Sequence, residues 1–168
     1  MPSHCKGSPK EVRALSAFIN LVRASDSMID KTSEHIVASG LTLGQFAVME
    51  ALEHLGPMCQ HVLAEKLLRS GGNTTLVLDN LEKNGFVRRE RQTSDRRRIE
   101  IHLTPKGRRL IERVFPEHAK VVETWMAVLT PAEQDELRRL AAKLGRNAAQ
   151  SSAADERKEK NSDSDPTE

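Results

Sequence analysis

Aromatic residues are scarce, at 3% of the 168-residue chain, with four Phe, one Trp and no Tyr. That is too few for the stacking platforms that hold single-stranded nucleic acid or an extruded base, and it argues against an RNA-recognition sheet. Long hydrophobic runs are missing as well: none approaches the ~20 residues of a bilayer span, so a membrane protein is excluded. Cysteine occurs only twice, as Cys5 and Cys59, without a CxxC or a Cys/His cluster. A disulfide-stapled secreted scaffold and a structural zinc site are therefore not expected. The first seven residues hold no apolar stretch of the kind found in a signal peptide, which makes a cytoplasmic location with reduced thiols the expectation. Charge of one sign is lacking too: 26 Lys and Arg face 24 Asp and Glu, for a net charge of +2. A nucleic-acid binder is usually more basic than that, so the total has to be resolved along the chain.

What the sequence does have is clear helix punctuation. Ser8, Pro9 and Glu11 supply an N-cap, a first-turn proline and a capping-box glutamate, and Gly40 supplies the stop. Between them Leu15, Phe18, Ile19, Val22, Met28, Ile29 and Ile36 recur mostly at steps of three and four, predicting a long amphipathic helix that needs a partner. A second box, Thr42 with Gln45, opens a helix ended by Gly56-Pro57, and a short helix follows over about 59–68. Ser70 to Asn73 begins another helix carrying Leu76, Val77, Leu78 and Leu81 and closed by Asn84-Gly85. The period then drops to two: Ile99, Ile101 and Leu103 alternate with polar residues, predicting a strand paired with Phe86–Arg91 in a long hairpin. Thr104-Pro105 starts a further helix that Pro116 should kink or reset, and Thr130, Pro131 and Glu133 cap a last one. From 151 to 168 the sequence is polar and aperiodic and is expected to form a disordered charged tail; residues 1–7 are expected to be flexible.

Resolved locally, the charge is uneven. From Phe86 to Arg113 there are ten Lys and Arg against four Asp and Glu, a net +6, whereas Asp155 to Glu168 carries −3. A run of arginines is also what a solvated surface face would show. Here, however, two short helices directly precede the basic hairpin. Helix, tight turn, second helix and two-stranded wing make a winged helix-turn-helix, whose second helix suits the major groove and whose hairpin tip suits the minor groove. The second helix opens Gly71-Gly72-Asn73-Thr74-Thr75, with small residues that permit close approach and polar ones that reach base edges.

Over about residues 10–148 the sequence resembles the MarR family of bacterial transcriptional regulators. The resemblance rests on Leu41-Thr42-Leu43-Gly44-Gln45-Phe46, Leu63-Ala64-Glu65-Lys66-Leu67, Asp79 to Val87, Asp95-Arg96-Arg97 and Leu103-Thr104-Pro105-Lys106-Gly107, in this order and spacing. The segment Leu68 to Thr75, with Phe115-Pro116-Glu117-His118, is similar to the MhqR-like branch that answers quinones and catechols. The resemblance implies a mainly α fold with a small β wing (α+β) and an intertwined all-helical dimerisation region. Residues 8–150 would form the domain, with a DNA-binding lobe at about 42–104 and dimerisation helices at about 8–39 and 105–149. It further implies a homodimer on a pseudo-palindromic operator of double-stranded DNA, most readily a repressor released by a small aromatic effector or an electrophile in a stress response. An architectural DNA binder without an effector is the alternative.

The expected DNA contacts are Ser70, Gly71, Gly72, Asn73, Thr74 and Thr75; the resemblance to the family's wing motif implies that Asp95 braces the wing and Arg97 enters the minor groove, with Arg96 and Arg98 meeting phosphate or solvent. The resemblance places an effector pocket near the dimer interface, with Phe18, Val22, Phe46, Met49 and Phe115 as apolar candidates, residue types that are more often simply core. Cys59, at a helix N-cap where the family more often has Ser, is either an electrophile-sensing thiol or a small half-buried substitute. Cys5 is either an accessible sensor or a passive surface residue. The histidines His4, His35, His54, His61, His102 and His118 show no ligand spacing in sequence, so neither a metal nor another cofactor is expected. No Ser/His/Asp order, paired carboxylates or phosphate loop is present, since Gly71-Gly72 lacks the P-loop lysine, and an enzyme is not expected.

Overall fold

The computed structural model describes residues 7–67, 71–91 and 98–162, the side chains of 71–73 and 148–162 excepted. The elements run α1 (Pro9–Ala38), α2 (Leu43–Leu55), β1 (Met58–Cys59), α3 (Gln60–Lys66), α4 (Gly71–Lys83), β2 (Val87–Arg91), β3 (Ile99–Leu103), α5 (Pro105–Met126) and α6 (Pro131–Ser162). This is the mainly α fold with a small β wing that the sequence pattern predicts.

The caps form as their residue types dictate. The Ser8 hydroxyl accepts from the Glu11 amide at 3.3 Å while the Glu11 carboxylate accepts from the Ser8 amide at 2.7 Å. Thr42 and Gln45 repeat the reciprocal pair at the start of α2, as do Thr130 and Glu133 at the start of α6. These bonds hold the Glu11 and Glu133 carboxyls below their ordinary pKa, because the accepting form is the ionised one.

The core lies where α2, α4, α5 and the C-terminal end of α1 converge on the sheet. Ile36, Met49, Leu63, Leu78, Leu81, Ile101 and Ile111 are fully buried there. The sheet is antiparallel in the order β1-β3-β2, with Arg89 opposite Ile101 and Met58 opposite Ile101 on the other side. The two-residue strand β1 is an addition to the expected hairpin. It is too short for its period to be read, and its register with β3 buries Met58 and Cys59.

Two further expectations change. α5 runs unbroken through Pro116. Pro116 and Glu112, whose carbonyl loses its donor, both lie on the exposed side, where solvent can take that carbonyl. α6 continues to Ser162, well into the segment expected to be a disordered tail, while 163–168 lie outside the described residues. Ala, Gln, Glu, Lys and Arg dominate 148–160 and are all strong helix formers, so propensity extends the helix where apolar periodicity has ended.

α1 is about 45 Å long at 1.5 Å per residue, yet only Thr32 and Ile36, near its C-terminal end, are buried. Phe18 is 63% exposed, and Leu15, Leu21, Val22 and Ile29 are exposed beside it. Trp125 on α5 and Leu137, Leu140 and Leu144 on α6 continue this uncovered apolar surface.

Candidate nucleic-acid interface

α3 and α4 form the helix pair, and β2 with β3 forms the wing beside it. α4 ends at Lys83, and the chain turns into β2 through Gly85, whose φ of +71° is left-handed backbone that glycine adopts without strain. The turn is tied to α5: the Thr104 hydroxyl donates to the Gly85 carbonyl at 2.7 Å, the Thr104 amide donates to the Phe86 carbonyl, and Lys106 Nζ donates to the Asn84 carbonyl at 2.9 Å. Arg108 grips both oxygens of Glu53 on α2 at 2.8 and 2.9 Å, joining the helix after the wing to the body of the domain.

A second brace fixes the wing to α4. Arg89 on β2 donates to Asp79 at 2.6 Å and to Glu82 at 2.5 Å, and its amide donates to Glu82 at 3.0 Å. Burial works against the guanidinium charge, but the two carboxylates outweigh it and raise the Arg89 pKa further above its ordinary value. The basic excess of this segment is thus partly internal. Arg88 pairs with Glu90, Arg89 with Asp79 and Glu82, and Arg108 with Glu53, while Lys106 also sits over the Phe86 ring. Arg91, Arg98, Arg109 and Arg113 lie on the surface.

The expected base-reading residues separate along α4. Gly71, Gly72 and Asn73 form its first turn. Thr74 does not face a groove: it is 1% exposed, one turn before Leu78 and two before Leu81, and belongs to the buried face. The spacing 74-78-81 carried that signal, and the polar side chain masked it. Thr75 is half-buried and its hydroxyl accepts from Gln60 Nε2 at 2.5 Å, tying α4 to α3. The outward face of α4 is instead made by Leu76, Asp79, Asn80 and Lys83. Arg98 is exposed just before β3 and lines, with Cys59, Gln60, Thr75 and Arg89, a cleft of about 450 Å³ between the helices and the wing. Ser70, Asp95, Arg96 and Arg97 lie outside the described residues.

Cys59 caps α3 without a side-chain hydrogen bond and is 8% exposed, so it is more deeply buried than the half-buried position expected. Cys5 lies outside the described residues. The five apolar pocket candidates are not brought together within one chain. Phe46 and Met49 are core, Phe115 is half-buried with its ring 4.5 Å from that of His54, and Phe18 and Val22 are exposed on the uncovered part of α1. Their separation follows from the length of α1, most of which projects beyond the core.

Two histidines without ligand spacing in the sequence meet in the fold. His35 on α1 and His118 on α5 share a hydrogen bond of 3.1 Å between Nε2 and Nδ1, and the Phe46 ring lies 4.7 Å from that of His118. Desolvation, then the neighbouring His35, lower the His118 pKa, against a backbone hydrogen bond at Thr32. Helical spacing held the signal: His118 follows Val114 by four and His35 follows Thr32 by three. Among the described residues no group of three or more His, Cys, Asp or Glu is placed to hold a metal, and no single helix is long and apolar enough to cross a membrane.

The MarR family model matches residues 41–99, which include α2 to β2 and the start of β3. The uncharacterized HTH-type transcriptional regulator YkoM of Bacillus subtilis is 36% identical over 133 residues, 79% of this chain and 86% of that protein. The HTH-type transcriptional regulator MhqR of the same organism is 33% identical over 138 residues, 82% of this chain and 95% of that protein. Among solved structures, Bordetella bronchiseptica BpsR, described for the regulation of its DNA binding by 6-hydroxynicotinic acid, superposes with a TM-score of 0.67 at 26% identity, covering 74% of this chain and 89% of that one.

Proposed function

The chain belongs to the MarR family and is a transcriptional regulator with a DNA-binding winged helix, not an enzyme; we propose that it acts as a homodimeric repressor released from a pseudo-palindromic operator by a small phenolic or quinone ligand or an electrophile. The observation that carries the dimer is the uncovered apolar surface of α1, α5 and α6, with Phe18, Trp125 and Leu144 all well exposed in the single chain. A second copy buries such a surface, and residues 8–39 and 105–149 are the dimerisation helices in this reading. A two-fold pair presents two α4 helices, so the operator half-sites stand about one helical turn, roughly 34–36 Å, apart.

Each 42–104 lobe binds one half-site. The first turn of α4, with Ser70 before it, approaches the base edges, and backbone N–H groups there meet phosphate, while Thr75 holds α4 to α3. Arg97, braced by Asp95, enters the minor groove, while Arg96 and Arg98 contact phosphate. The regulation of BpsR DNA binding by 6-hydroxynicotinic acid, a hydroxylated aromatic acid, supports a small aromatic effector. Phe46, Met49 and Phe115 remain its apolar lining, and Phe18 and Val22 pass to the dimer face. The effector changes the separation of the two wings so that both half-sites cannot be held together, and a coupling of about 1–3 kcal/mol suffices. An electrophile acts through Cys5, or through Cys59 once its cleft opens.

The test is a gel shift of the full chain on DNA from upstream of its own gene against random duplex of equal length, repeated with phenols, quinones and peroxides. Strong preference for the upstream DNA, abolished by one compound class, is the expected result. Equal binding to both duplexes, unaffected by every compound, identifies an architectural binder instead.

A further inference from the structure

The outward face of α4 carries one large apolar side chain, Leu76, which is 64% exposed. It stands at the centre of the helix, one turn after Gly72 and Asn73 and one turn before Asn80. The polar groups beside it each hold a bond inside the protein: the Thr75 hydroxyl accepts from Gln60, Asp79 Oδ1 accepts from Arg89, and one Asn80 Nδ2 hydrogen goes to the Leu76 carbonyl at 2.9 Å. At this point of the face the group presented outward is an isobutyl. In a major groove the apolar feature available to it is the thymine C5-methyl, which no other base carries.

We propose that Leu76 is a specificity-determining residue that packs on a thymine methyl in each operator half-site. The inference rests on the reading that α4 enters the major groove. It adds a discrimination that polar residues of the first turn do not provide: preference for thymine over cytosine at one position without a hydrogen bond. The Arg89 brace to Asp79 and Glu82 keeps α4 fixed relative to the wing, so the position is held in register with the minor-groove contact.

The experiment first selects binding sites from random duplex with the full-length protein, then replaces each thymidine of the recovered site by deoxyuridine, which removes only the methyl group. For the wild type, one symmetric thymine position should lose about three- to fivefold in affinity per half-site, the scale of one buried methyl-sized group. Leu76→Ala should bind the thymine and uracil duplexes equally. A uracil penalty of the same size in both proteins, or no penalty at any position, overturns the role of Leu76. Recovery of no preferred site at all overturns the groove reading itself, and is thereby told apart from a failure of Leu76 alone.

Discussion

His35 Nε2 lies 3.1 Å from His118 Nδ1, joining α1 to α5 through two imidazoles. One nitrogen of such a pair must accept, so at least one ring is neutral while the bond exists. The pair sits where α1 stops projecting and enters the core, beside buried Thr32 and Ile36. Protonating both rings removes the bond and sets two like charges against each other.

The lowered pKa of His118 fixes the sign of a pH dependence. Unfolded, His118 takes its proton at about the ordinary value of 6.5; folded, it does so only at lower pH. Between those values the unfolded chain holds the extra proton, so stability is complete above about pH 6.5 and falls as the pH drops through the folded value. Urea midpoints at pH 7.5 and 5.5 check this, and His118→Gln should shrink the difference between them. An unchanged difference in the variant assigns the acid sensitivity elsewhere.

Arg89 is the next prediction. Its side chain is 25% exposed, and it neutralises Asp79 and Glu82, which otherwise stand near the DNA-facing side of α4. Arg89→Leu should cost about 1–2 kcal/mol of stability, since the bonds are charge-assisted but partly solvated. Operator affinity should fall further, because two bare carboxylates then repel phosphate. Adding Asp79→Asn and Glu82→Gln should recover part of that affinity; no recovery in a titration at fixed salt would mean that the loss is one of wing position alone.

Gly107 tests the seam between the wing and α5. A Cβ added there would lie 2.0 Å from the Phe86 carbonyl oxygen and 3.2 Å from Leu103 Cδ2, and the backbone oxygen cannot yield as a flexible side chain would. Gly107→Ala should therefore destabilise the domain by about 1–3 kcal/mol, the range of overpacking. Chemical denaturation measures it, and a neutral result would show that α5 and the β2 entry slide past each other freely.

Much of this architecture is legible in the sequence because it is written in local chemistry. The capping pairs Ser8–Glu11, Thr42–Gln45 and Thr130–Glu133 form as their residue types require, and the alternation from Ile99 to Leu103 becomes β3. What local patterns do not carry is the identity of a residue's long-range neighbour. Thr74 is polar by type and buried by position, β1 exists only because β3 is there to pair with it, and His35 meets His118 across 83 residues of sequence. The same limit explains Phe18 and Phe46, which share an apolar character but not a site, because the length of α1 carries one of them away from the core.

The uncovered apolar surface supplies the last prediction. Phe18 is 63% exposed in the single chain, so Phe18→Asp removes no packing inside one protomer and should leave the Ile36–Met49–Ile111 core intact. If two copies bury this surface, the aspartate places an unpaired charge in the apolar part of the interface, where desolvation is not repaid. An anchor of this kind is worth at least about 2 kcal/mol, roughly a 30-fold weaker dimer. Sedimentation equilibrium should show dissociation at concentrations where the wild type is dimeric, with unchanged helix content by circular dichroism. Operator binding should weaken with it, since a single lobe holds one half-site and forfeits the effective concentration that links two. A variant that stays dimeric while keeping full operator affinity would move the dimer contact away from the N-terminal half of α1 and toward Trp125, Leu140 and Leu144.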